Sequence, residues 1–350
     1  MRWRPTRRNR WPTQLERHER RAGQALPSSH RSAQHEGTPV TDLLIGLVPW
    51  PAYGDARHIW WPKLGILWAS WLAWPLLVWW LWRLARRWRA SDAAYRTVKL
   101  VFVALLVAFI DARFIERYWI VERTTQLKLG FKARLVLISD THIGLYKSPD
   151  FLARAVARIN AIAPDAVLIA GDITYEPDRP VAELVAPLKQ LAMPAFSVPG
   201  NHDEESPGPP IVGDLRRGLQ QAGVTPVEYA HARLKTFTLV GLGDHFADKD
   251  SIKPLTAAPR DKPIIVLMHN PDSAMQLKPG SAALALAGHT HGGQIRIPGL
   301  YERVIPTRHA FDRGLHTFPP VPTFVTSGLG EIGLPLRFLN PPVIDILEIE

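Results

Sequence analysis

Leu64–Trp82 reads LGILWASWLAWPLLVWWLW and carries no charge over 19 residues. That is about the length of apolar helix that crosses a bilayer, and a soluble fold accepts such a stretch only as a buried core helix. Its tryptophans, with Trp60 and Trp61 just before it, suit anchoring at a membrane interface. Pro75 predicts a kink, which transmembrane helices tolerate. A basic collar follows at Arg83, Arg86, Arg87 and Arg89. A second apolar run, Leu100–Ile110, is short alone. Extended back to Val98 and on to Phe114 and Ile115, it reaches spanning length if Lys99 snorkels to the interface. Asp111 and Arg113 leave an interfacial helix as the alternative for this second run. The expectation is an anchor over residues 40–120 with two transmembrane helices, at about 64–82 and 98–115.

The charge balance separates this anchor from the C-terminal part of the chain. Residues 1–99 hold 17 Lys/Arg against 6 Asp/Glu, and residues 100–350 hold 25 against 26. The formal charge of +10 therefore belongs to the N-terminal part, and the rest has no global electrostatic case for nucleic acid. Residues 1–39, rich in Arg, Ser, Pro and Gln without apolar periodicity, read as a disordered basic arm. A start near Val40 would leave a more conventional membrane-protein N-terminus. Arg83, Arg86, Arg87, Arg89 and Arg96 lie in the short connector between the two runs, which the positive-inside rule places in the cytoplasm. Everything after residue 120 then lies on the outer side, although the basic arm pulls the opposite way.

From residue 132 the pattern alternates between short strands and helices. Ala133–Ser139, Ala166–Ala170 and Ala195–Val198 are apolar runs, with Phe151–Ile162 at helical spacing between the first two and stopped by Pro164. Val181–Leu191 reads as the next helix, weakened by Pro187. This β-α-β-α-β order implies parallel strands with their functional loops at the carboxyl ends. Leu234–Val240, Ile264–Met268, Ala283–Ala287, Thr323–Thr326 and Val343–Ile349 are further candidate strands. The expected fold is α/β, with two sheets face to face, helices outside, and the second half largely antiparallel.

Every strand with a polar terminus delivers a metal-type ligand: Asp140 and His142, Asp172, Asn201 and His202, His269, and His289 with His291. In Gly288-His289-Thr290-His291, an extended backbone would point both histidines to one side. A single such strand end is an ordinary turn or cap; five in one chain point to a metal centre. There is no cysteine, which excludes disulfides and thiolate sites and leaves an N/O shell suited to Mn, Fe or Zn.

The order D-x-H, G-D, G-N-H-D, a lone His, then G-H-x-H resembles the calcineurin-like metallophosphoesterase family over residues 132–350. The resemblance implies a four-layer sandwich of two mixed sheets flanked by helices. It also implies a site of two divalent metal ions, Mn favoured over Fe or Zn. Asp140, His142, Asp172 and His291 would hold one ion, and Asp172, Asn201, His269 and His289 the other, with Asp172 bridging. His202 would be the catalytic group facing the scissile phosphate, and Asp203 a partner that orients a histidine or an exposed turn residue. The Gly-Gly-Gln-Ile-Arg-Ile-Pro-Gly run after His291 and the Gly328–Arg337 region are similar to a membrane-associated branch. That branch includes phospholipid-directed enzymes and a UDP-2,3-diacylglucosamine pyrophosphatase, although Pro342-Val343-Ile344 departs from its pattern. The resemblance thus implies a phosphohydrolase at the inner membrane of a bacterium, acting on a phosphodiester or pyrophosphate bond in a lipid-linked substrate. Its expected partners are the bilayer and that phosphoester. A small-nucleotide phosphodiesterase or nuclease, and an inactive metal-binding scaffold, are the alternatives. Arg296 and Arg337 read as structural ion-pair residues rather than phosphate contacts, and His231, His245, His309 and His316 as loop residues.

Overall fold

The computed structural model describes residues 57–88, 92–204 and 211–350. The basic arm expected over 1–39 lies outside the described residues. Helix α1 (Arg57–Ala69) passes through a 3-10 turn at Ser70–Leu72 into α2 (Ala73–Arg87). The turn sits just ahead of Pro75, whose ring nitrogen has no proton to give the preceding helical turn. Among the described residues, the run Pro62–Arg87 is the one that is long and apolar enough to cross a membrane, by length and composition.

Asp92 begins the return helix α3 (Ala93–Ile110) by accepting from the Tyr95 amide at 2.7 Å. The two helices pack as a hairpin, with the Trp80 and Phe102 ring centroids 4.8 Å apart. Lys99 reaches back toward Tyr95, one turn nearer the start of α3. It is buried, with its ammonium 3.9 Å from the Tyr95 ring centroid and 5.8 Å from that of Trp80. Aromatic faces stand in for water around this cation. Past Ile110 the chain winds into a π-turn, Asp111–Ile115, which turns Arg113 inward to donate to Ser70 Oγ at 3.0 Å.

The remainder is a four-layer α/β sandwich. The first sheet runs β1 (Val121–Leu127), β14 (Val343–Ile349), β2 (Ala133–Ile138), β4 (Ala166–Ala170), β6 (Ala195–Val198) and β7 (Val224–Pro226). The second runs β12 (Gly314–His316), β13 (Thr323–Val325), β11 (Leu284–Ala287), β10 (Ile264–Leu267), β9 (Thr238–Gly241) and β8 (His231–Arg233). A two-strand ribbon pairs β3 (Ile143–Gly144) with β5 (Thr174–Tyr175). The period of two sorts each strand between layers. Leu135, Leu137, Leu168, Ile265, Leu267 and Leu286 fill the space between the sheets. Val136, Ile138, Val167 and Ile169 face the helices α4 (Pro149–Ile162), α5 (Val181–Leu184) and α6 (Val212–Gln221). Val266, Ala285, Ala287 and Val325 face an outer layer of short helical turns and loops.

Two expectations on local structure change. The second sheet is not largely antiparallel: β9, β10, β11 and β13 are all parallel, and only the edges β8 and β12 run the other way. The connections 242–263, 268–283 and 288–322 are long enough to cross back over the sheet, and uniformly buried short strands are what a covered parallel sheet contains. The Val181–Leu191 helix is interrupted, as Pro187 forecast, into α5 and a 3-10 turn at Ala186–Gln190.

A buried ion cluster ties the hairpin to the sandwich. Arg117, just past the π-turn, pairs with Glu331, whose carboxylate also lies 3.3 Å from the Lys147 ammonium; all three side chains are inaccessible to solvent. Arg117 also donates to the Tyr146 carbonyl at 2.7 Å. Burial lowers the Lys147 pKa to about 7, against the pull of Glu331. Removing one member of a buried ion pair costs about 3–5 kcal/mol, because the other charge stays buried. We expect Glu331→Ala to lower the thermal unfolding midpoint of the detergent-solubilised full chain sharply, and Glu331→Gln to lower it less. An unchanged midpoint would show that the cluster does not fasten the hairpin.

Candidate metal centre

The carboxyl ends of β2, β4, β6, β10 and β11 all open at one side of the sandwich, and the expected residues meet there. Asp140, His142 and His291 form one buried group able to hold a metal ion, and Asp172, His269 and His289 form another. His142 Nε2 and His291 Nε2 are 3.2 Å apart, and His291 Nε2 lies 3.4 Å from Asp140 Oδ1. His289 Nδ1 and His269 Nε2 are 3.1 Å apart, with Asn201 Oδ1 3.2 Å from the same His269 nitrogen. Asp172 Oδ2 sits between the groups, 3.3 Å from His269 Nε2 and 3.6 Å from His142 Nε2.

The backbone is bent to make this possible. Asp140, His142, Asp172, His289 and His291 all have φ between 44° and 69°, a region that residues with a side chain seldom occupy and that clusters at functional sites. The extended geometry expected for His289-Thr290-His291 is therefore replaced by a tight turn leading into a 3-10 turn at His291–Gly293. The turn sends His289 to the second group and His291 to the first. Close backbone approach explains two of the glycines. A Cβ at Gly288 would sit 1.9 Å from Ser139 Oγ, and one at Gly200 would sit 2.2 Å from Asp172 Oδ1.

The imidazole protons identify what the site is built for. A carbonyl only accepts, so His269 Nδ1, 2.7 Å from the Ala170 oxygen, carries its ring proton there and leaves Nε2 as a lone pair. His289 Nε2 faces the Pro306 oxygen at 3.1 Å, which leaves its Nδ1 lone pair aimed at His269. Two buried lone pairs at that separation repel unless a cation lies between them. Burial alone would lower the His269 pKa, but Asp172 and Asp140 outweigh it and push it up to about 10. Burial lowers His142 and His291 to about 3 and holds His289 well below its ordinary value. Asp172 is held well below the usual carboxylate range, since His269 and His202 overcome its burial. Metals are bound by deprotonated ligands, and a set of four imidazoles, two carboxylates and an amide oxygen fits divalent ions.

His202 is buried beside the groups. Its amide donates to Asp172 Oδ1 at 2.9 Å, and its ring stands edge-on to His142, with centroids 5.3 Å apart. It lines a cavity of about 780 Å³ together with Asp172, Asn201, His289 and His291. Apolar side chains line it as well: Phe246, Ile295, Val304, Ile305, Ile332 and Leu334.

Asp203 neither orients a histidine nor lies exposed. It is fully buried and accepts from the amides of Ile173 (3.1 Å) and Gly200 (3.0 Å), stapling the two loops that carry Asp172 and Asn201. Burial, with Asp172 nearby, pushes its pKa up to about 7. Arg337 is buried and donates to the Gly330, Ser327 and Asn340 carbonyls, while Arg296 pairs with Asp312 at 3.0 Å, so both are structural. Gln294 is a staple as well, bonding Ile332 and Leu334 to hold the cavity wall. Two participants had no sequence signal. Tyr175 packs on His142 and His202 at 5.5 and 5.4 Å between centroids, and Asn340 Nδ2 donates to the His291 carbonyl at 2.6 Å. An isolated Tyr or Asn in a loop has no motif to mark it.

Residues 133–293 match the family described as calcineurin-like phosphoesterase. This region is a calcineurin-like metallophosphoesterase domain. An uncharacterized metallophosphoesterase of Helicobacter pylori is 33% identical over 232 residues, covering 63% of this chain and 61% of its own length. The chain therefore spans less than two thirds of that relative. The phosphodiesterase YaeI of Escherichia coli is 29% identical over 227 residues, 62% of this chain and 82% of its own length. UDP-2,3-diacylglucosamine pyrophosphatase LpxG of Chlamydia trachomatis is 26% identical over 285 residues, 61% and 82% of the two chains.

In this metallophosphoesterase domain Asp203 is the structural keystone of the loops. Leaving buried amides without an acceptor costs about 1–3 kcal/mol. We expect Asp203→Ala to lower the thermal unfolding midpoint and to weaken divalent-ion binding measured by calorimetry. Unchanged binding and midpoint would remove the stapling role.

Proposed function

We propose that this protein is a membrane-anchored metal-dependent phosphohydrolase that cleaves a phosphodiester or pyrophosphate bond in a lipid-linked substrate. The observation that carries the reading is Asp172 standing between two buried His/Asp groups whose ring nitrogens approach one another to 3.1–3.2 Å. In this reading Asp140, His142, Asp172 and His291 hold one divalent ion, and Asp172, Asn201, His269 and His289 hold the other. Bound there, two such ions neutralise phosphoryl oxygens and lower the pKa of an attacking water.

The chain's own groups do the rest. Asp172 accepts the His202 amide and so keeps that imidazole turned into the cavity. From there His202 can stabilise charge on the phosphoryl group and give a proton to the leaving oxygen. His142, Tyr175 and the Asp172 loop pack His202 on its inner side, which limits its reach to a substrate in the cavity. The apolar part of the cavity lining suits a substrate whose leaving group or flanking portion is hydrocarbon, and the relative named as a UDP-2,3-diacylglucosamine pyrophosphatase supports that class. Tethering by Pro62–Arg87 would raise the effective concentration of a substrate confined to the bilayer. The arginine collar between the helices favours an outward-facing domain at the inner membrane.

With Mn²⁺ added, the purified full chain should hydrolyse bis(4-nitrophenyl) phosphate. His202→Ala should reduce kcat by about 10²–10⁴-fold, the usual weight of a positioned acid–base group, and Asp172→Ala should abolish turnover. Wild-type rates no higher than those of Asp172→Ala would end the enzyme reading. A C-terminal alkaline phosphatase fusion should be active in intact cells, reporting an outward domain. An inactive phosphatase with a fluorescent C-terminal reporter would reverse the orientation.

A further inference from the structure

The two ends of the helical hairpin reach the sandwich on either side of the metal centre. On one side Lys63 of α1 pairs with Glu176 and lies 4.7 Å above the Tyr175 ring, the same ring that packs on His142 and His202. On the other side the π-turn after α3 accepts the Arg337 amide on the Ala112 carbonyl at 3.1 Å. The Glu116 carboxylate accepts the amides of Leu339, at 2.8 Å, and Asn340. Phe338, next in line, exchanges backbone hydrogen bonds with Gln294 (3.1 Å) and Arg296 (2.9 Å) in the loop that follows His291. One strand-like segment thus separates the foot of the hairpin from the metal-centre loop.

The surface on this side is apolar where a soluble face would be polar. Ile297, Leu300, Val304, Leu334 and Leu339 are exposed, Val304 to 73% and Leu339 to 57%, and Val304 and Leu334 also line the cavity. Exposed Arg303 and Arg308 lie in the same loop. A cluster of large exposed apolar side chains marks an interaction surface rather than a solvated one. Aromatic residues at the hairpin foot point to its occupant. Trp71 and Trp74 pack on Phe114 at 4.9 and 5.7 Å between centroids, and Trp119, a few residues past the π-turn, is 63% exposed. Trp and Phe gathered where an apolar helix meets a polar domain belong at the headgroup level of a bilayer. Neighbouring arginines suit anionic headgroups.

We propose that Ile297, Leu300, Val304, Leu334 and Leu339 form a membrane-docking rim that seats the mouth of the cavity on the bilayer surface. An amphiphile then presents its phosphoester to the site while its hydrocarbon stays in the membrane. This rests on the reading that Pro62–Arg87 spans the bilayer. It adds that the catalytic domain lies down on the lipid rather than standing away on a stalk.

The chain has no cysteine, so single reporters can be placed without background. Leu300→Cys, Val304→Cys and Leu339→Cys, with Leu105→Cys on the exposed face of α3 and Lys235→Cys in the β8–β9 turn at the opposite end of the strands, would each be labelled with a small environment-sensitive fluorophore. The full chains would be reconstituted in nanodiscs of phosphatidylcholine and phosphatidylglycerol, with and without nitroxide-labelled lipid. The rim labels should lose fluorescence to the nitroxide lipid to an extent comparable with Leu105→Cys, while Lys235→Cys should not. Quenching at Leu105→Cys with none at the three rim positions would overturn the docking rim and leave the membrane span standing. Absence of quenching at Leu105→Cys as well would overturn insertion of the helical hairpin in the bilayer and the rim with it.

Discussion

The structure depends on bringing buried metal-type ligands together at the ends of five strands. Four imidazoles, two carboxylates and an amide oxygen converge there, with ring nitrogens 3.1–3.2 Å from one another and from the Asn201 oxygen. A fold tolerates that only if a cation is present or if the surrounding framework is rigid enough to hold the groups until one arrives. The framework here consists of two parallel-cored sheets packed face to face, which bring five carboxyl ends to one place. The left-handed backbone at Asp140, His142, Asp172, His289 and His291 stores strain that only such packing over-determines.

Around that centre the polar residues that look reactive in the sequence divide by whether they already have partners. Asp203, Arg337, Gln294 and Arg296 are all spent on backbone carbonyls, amides or a neighbouring carboxylate. They hold loops at the required spacing. His202 is different, because its amide is committed to Asp172 while its ring is left to face the cavity. The cavity lining divides in the same way, into ligand-type groups and apolar side chains, of which Ile332 and Leu334 are held in place by Gln294.

The hairpin and the domain are joined through charged groups that are fully buried. Arg117, Glu331 and Lys147 are costly to desolvate, and their geometry is worth that cost only because it locks one chain direction onto another. Glu116 and Asn340 extend the connection to the carbonyl of His291. The apolar helical hairpin and the polar site are therefore linked through buried polar contacts.

Much of this is legible in the sequence. The alternation of short apolar runs and the ligand types at their ends determine the layer order and the donor set, because period-two burial and strand-end chemistry are local properties. The length and lack of charge of Leu64–Trp82 likewise determine that this helix must hide its surface in something other than water. Three things are decided only in three dimensions. The second sheet is parallel because its connections cross over, which strand composition does not record. His289 and His291 serve different groups because a left-handed turn, and not an extended strand, carries them. Tyr175, Asn340, Asp203 and the apolar rim acquire their places from residues distant in the chain or from neighbouring loops. Sequence specifies which groups are available; which of them remain unpartnered beside the cavity is settled by packing, since a lone pair or an apolar face is free only relative to everything folded around it.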